Sequence, residues 1–243
     1  LEGCLASERA SVQLKKHCAM LKASGEAHKQ LSAVLDTADS VHVKLSAAGC
    51  DAGAVAGVKL RLCKGDVGGV EMEQLGEGLR CLHTKLRGEG RHQEAAEVHK
   101  LGQELDAAAH GKLALEQSAH ELEGSAQAHA AMELGCGLAF KLGKGGHTAQ
   151  SERAECVAQK AKKALRGDGH VCVEGVEAAI VEARAAAHEL EVQPKGSKHG
   201  GGVLEAAAEM EQVACKLEGC LASERASVQL KKHSAMLKAR GEA

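Results

Sequence analysis

The sequence predicts an all-α protein of long amphipathic helices packed as elongated bundles. Three observations lead there. Apolar residues recur at spacings of three and four, strand-type alternation is nearly absent, and glycine clusters punctuate the chain. The 243 residues suffice for one large domain or a few small ones. Hydrophobic residues make up 44% and charged residues 26%, a balance that suits a packed core under a solvated surface. The formal net charge of -2 gives no electrostatic reason to expect nucleic acid or an anionic membrane as partner.

The first predicted helix starts from Leu14. One heptad position reads Leu14, Leu21, His28, Leu35 and His42, and the other reads His17, Ser24, Leu31, Ala38 and Leu45. The stripe runs over roughly 35 residues and stops at Ala48-Gly49-Cys50-Asp51. Further on, Ala95, Val98, Leu101 and Leu105 mark a second helix within 94–105. Breaks follow at Gly143-Lys144-Gly145-Gly146 and from Pro194 through Gly202. A last stripe pairs Val203, Met210 and Leu217 with Ala206, Val213 and Cys220. Helices of about 30 residues are about 45 Å long. That length suits three- or four-helix bundles better than a compact globule.

The chain also repeats itself. Residues 1–27 and 217–243 are identical at 25 of 27 positions, at an offset of 216. Near-identity at a fixed period is the signature of an array, whose units pack mainly on their neighbours.

No run of apolar residues is long enough to cross a membrane, and Leu1-Glu2-Gly3-Cys4 does not read as the start of a secretion signal. The ten cysteines form no CxxC and show no zinc-finger spacing with histidine. They read as small residues of a reducing compartment, and the exchange of Cys18 for Ser234 between the two copies argues against an obligatory bridge there. Trp, Tyr and Asn are absent, and Phe140, Ile180 and Pro194 are each the single residue of their type.

Motifs that would carry chemistry are weak. Residues 137–144, GLAFKLGK, imitate a phosphate loop, but the glycine spacing is one too long and Gly145 stands where Ser or Thr would hold magnesium. Fourteen histidines include no HExxH, and His28 and His42 read as residues of the helix seam. Arg166-Gly167-Asp168 matches the tripeptide that integrins read, a match too short to carry weight. Cys156 and Cys172 lack a base identifiable from spacing. Lys160, Lys162, Lys163 and Arg166 read as a solvated basic helix face, with a docking patch for acidic groups as the other reading. No catalytic, cofactor-binding or metal-ligating residue is assigned, no cofactor is expected, and the chain is not expected to be an enzyme.

Residues 5–17, LASERASVQLKKH, resemble the passage from the first to the second helix of a spectrin repeat. Ala47-Ala48-Gly49-Cys50-Asp51-Ala52, followed by Val55, Val58 and Leu60, resembles the loop before the third helix, and Gly146-His147-Thr148-Ala149 looks like the same loop one repeat later. Ala108-Ala109-His110-Gly111-Lys112, with Leu115 and His120, resembles another first-to-second passage, and residues 206–213 the middle of a first helix. The resemblance implies tandem three-helix bundles. Residues 1–84 would be the rear of one repeat, 85–192 a complete repeat, 193–202 a Gly-rich linker and 203–243 the front of a further repeat. Where the family carries tryptophans, this chain has Val98, Val213 and Val67.

The resemblance also implies a cytoskeletal rod or spacer linking actin- or membrane-associated modules. Partners would be cytoskeletal or adhesion proteins, actin among them, with dimerisation through helical rods. The location would be the cytoplasm, at the cytoskeleton beneath the membrane. An alternative is an adhesion module that binds a partner helix or actin, because Leu86-Arg87-Gly88-Glu89-Gly90 resembles helix junctions of vinculin- and catenin-type bundles. Residues 90–96 resemble a tetratricopeptide helix, without the period of about 34 residues that such repeats need. A lipid-binding helical protein fits loosely, but it lacks the aromatic anchors that hold such helices at an interface.

Overall fold

A computed structural model describes residues 2–165, 171–192 and 200–241. Seven α-helices account for nearly all of them: α1 (Glu2–Ala47), α2 (Gly53–Cys63), α3 (Gly69–Gly88), α4 (His92–Lys144), α5 (Thr148–Ala164), α6 (Val173–Val192) and α7 (Gly200–Gly241). The only β pairing among the described residues is one isolated antiparallel bridge, Leu165 with Val171. The all-α expectation therefore holds, and the helices pack as bundles. The integrin-type tripeptide at 166–168, Arg166 of the basic stretch and residues 193–199 of the expected linker lie outside the described residues.

Two breaks read from the sequence fall at helix ends, and the backbone explains why. At the end of α1, Gly49 takes a φ of 67°. The Cys50 amide then reaches back to the Leu45 carbonyl at 2.8 Å and the Gly49 amide to Ser46 at 3.1 Å. This pair of bonds satisfies carbonyls that the last helical turn would leave orphaned, and a left-handed residue is what glycine permits cheaply. The same pair recurs after α3, from Arg91 to Leu86 and Gly90 to Arg87, and after α4, from His147 to Leu142 and Gly146 to Gly143. In all three the leucine that accepts the longer-range bond is buried, so each stop is fastened to a core.

The helices divide into two compact units. One comprises residues 1–118 with 228–243, and the other residues 119–227. Helices α4 and α7 each have residues in both units.

In the first unit, α3 lies antiparallel to α4. Arg80 Nη1 meets Asp106 Oδ2 at 2.9 Å, and the His83 and His99 rings lie 5.0 Å apart. The core takes Val34, Ala38, Val41 and Leu45 from α1, Val55 and Val58 from α2, Met72, Leu79 and Leu86 from α3, Val98, Leu101 and Leu105 from α4, and Leu237 from α7. In the second unit α4, α5, α6 and α7 run alternately up and down. Ser151 bonds the Ala139 carbonyl at 2.7 Å, Lys160 meets Glu182 at 2.7 Å, Arg225 meets Glu177 at 2.8 Å, and Lys141 meets Glu209 at 2.5 Å. Its core is built on Leu138, Val157, Val176, Ala183, Met210, Val213 and Leu217. More than three helices feed each core.

Several sequence expectations are corrected. In α1 the predicted stripe is half right. Ala38 and Leu45 are buried and Leu31 is partly so, but Leu14, His17, Leu21, Ser24 and His28 are exposed. The observed seam runs through Ala27, Val34 and Val41, one residue before the predicted position. One residue is about 100° around a helix, enough to turn a side chain from the core to water. The passages expected within 5–17 and 108–112 lie inside α1 and α4. Alanine, leucine, lysine and glutamate are good helix formers, so Gly111 alone does not end α4. The stripes Ala95–Leu105 and Val203–Cys220 are buried throughout at the positions predicted. Val98, Val213 and Val67, which stand where the spectrin-like pattern has tryptophan, are buried as well.

Candidate functional site

Residues 137–144 are the last turns of α4, so their glycines form no loop around a phosphate. Phe140 is exposed there, with Lys144 Nζ 4.4 Å above its ring, a cation–π contact at the surface. Cys136, Ser151 and Glu155 complete an open cleft beside it. The basic stretch is partly consumed within the fold. Lys160 is held by Glu182, while Lys162 and Lys163 face solvent. His28 is exposed and His42 half-buried. Among the described residues no group of three or more His, Cys, Asp or Glu side chains could hold a metal ion.

Nine of the cysteines are described, all as free thiols. Cys156 and Cys172 are half-buried, and Cys172 Sγ lies 3.9 Å from Glu174 Oε2. Cys220 is buried, and desolvation first, then the charge of Glu224, pushes its thiol up to about 11. A nucleophilic cysteine needs the opposite shift. His83 is lowered from its ordinary 6.5, by desolvation first and then by His99 and Arg87.

The most built polar site is one that sequence reasoning missed. Glu73 of α3 is 7% exposed. Its carboxylate accepts from Arg240 Nη1 at 2.8 Å and lies 3.3 Å from His233 Nδ1, both on α7. Arg240 also lies 3.8 Å from Glu77, which Arg80 holds at 2.7 Å, and Arg80 in turn binds Asp106 of α4. Next to it, Ser234 Oγ is 3.3 Å from His110 Nδ1 of α4. A buried carboxylate must be paired to be tolerated, and here its partners both come from α7. A signal was available. Arg240 and Ser234 are the two letters by which 217–243 departs from 1–27, where Ser24 and Cys18 stand.

These features define a helical-bundle protein whose most organised polar groups join helix to helix. No protein-family model matches the chain, and neither a curated protein nor a solved structure does.

Proposed function

We propose that this chain is a structural spacer, a segment of helical bundles in series that holds a distance between binding modules in the cytoskeleton. The observation that carries the reading is the near-identity of 1–27 and 217–243 at an offset of 216. A sequence returning at a fixed period is what serial units produce. It is supported by the second unit, residues 119–227, which takes up about half of that period and has a core of its own. In this reading the bundles are elongated, the mechanism is mechanical and the partners are cytoskeletal proteins, with actin as the candidate filament.

Small-angle scattering tests it. An elongated distance distribution is expected. A radius of gyration near the compact value for this length, about 18 Å, would sink the spacer reading.

A further inference from the structure

The chain writes one helix twice and uses the copies differently. In the second copy, Leu237 is 7% exposed and Leu230 packs on the core of the first unit. In the first copy the corresponding Leu14 and Leu21 are 66% and 73% exposed. The only two positions that differ in 27 residues are both contact positions in the docked copy. Ser234 meets His110 of α4, and Arg240 meets the buried Glu73 of α3. In the first copy these positions are Cys18 and Ser24.

We propose that the α3–α4 face of the first unit is a helix-accepting site for which both copies are ligands. Glu73 selects the second copy through Arg240, and the occupant that fits the uncovered Leu14–Leu21 face is the α3–α4 face of a second copy of this chain.

The physical basis is a cancellation. The leucine anchors are the same in both copies, so their burial favours neither. What remains is the hydroxyl contact at 234 and the charge-assisted bond at 240, which keeps Glu73 from being left without a guanidinium. A helix from the same chain also acts at a high effective concentration. Both effects fill the site from within. Reversing the selection at 240 frees the site for the first copy of another molecule, in the register that 228–241 occupies now.

The register supplies its own reporter. Ser234 sits beside His110, so a first copy docked in its place sets Cys18 there. His110→Cys is introduced into the full-length chain, alone and together with Ser24→Arg and Arg240→Ser. After mild oxidation, inter-chain disulfides are resolved on non-reducing gels and mapped by peptide mass spectrometry. The expected result is an inter-chain link between Cys18 and the introduced thiol, about tenfold more abundant with the exchanged pair than with His110→Cys alone. Equal yields would show that Glu73 selects nothing, and absence of that link would overturn the docking register. Should Arg240→Ser reduce helix content by circular dichroism, Ser24→Arg with His110→Cys carries the test. It must raise the 18–110 link above His110→Cys alone, and no rise overturns the proposal.

Discussion

Glu182 and Lys160 show how one contact moves two titrations. Their hydrogen bond, worth more than the opposing desolvation, lowers the Glu182 carboxyl below its ordinary 4.5 and raises the Lys160 ammonium above 10.5. A carboxylate whose folded value is depressed favours the fold above its unfolded value, and that contribution is lost as pH falls through the folded one. Urea midpoints measured from pH 6 to pH 3 should therefore fall more for the native chain than for Glu182→Gln. Parallel curves would mean that the pair adds nothing. Sequence reasoning placed Lys160 on a basic face and had no means of seeing Glu182 opposite, because the partner is 22 residues away on another helix. Glu73 was hidden for the same reason, with Arg240 at a separation of 167 residues.

At the scale of the element, the stops after α1 and α4 were readable, while the facing of α1 was not. Glycine at a stop and leucine four residues earlier are local signals, and the local hydrogen bonds follow from them. Facing depends on neighbours. Leu14 and Leu21 look as much like core as Val34 and Val41 do, and only the partners of α1 separate them. Glycines inside α3 show the same split. A Cβ on Gly69 would lie 2.5 Å from Leu113 Cγ and 2.9 Å from its backbone nitrogen, whereas one on Gly78 meets nothing within 4 Å. Gly69→Ala should cost about 1–3 kcal/mol through overpacking against α4. Gly78→Ala should gain about 0.5–1 kcal/mol, because alanine loses less entropy in a helix. Chemical denaturation of both variants checks the pair, and the same sign for both would refute the packing of α3.

At the scale of the whole molecule, the two apolar cores share no residue. Cys220 is a natural probe of the second, being fully buried with a thiol near 11. Leu138→Ala, in the same core, should speed its labelling by a thiol reagent. Leu105→Ala, in the first core, should cost about 2–5 kcal/mol of stability and leave the Cys220 rate unchanged. Labelling kinetics read by peptide mass spectrometry decide it, and a rate raised equally by both variants would join the cores into one.

The sequence by itself determined that the chain is helical, where α1 and α4 stop, and that one stretch of helix is written twice. All of these rest on interactions within a few residues or on letters compared with letters. Tertiary structure alone decided which face of α1 is dry and that Glu73 is buried under Arg240 and His233. Those outcomes depend on what arrives from tens or hundreds of residues away, and a single helix can bury either of two stripes until its neighbours choose one.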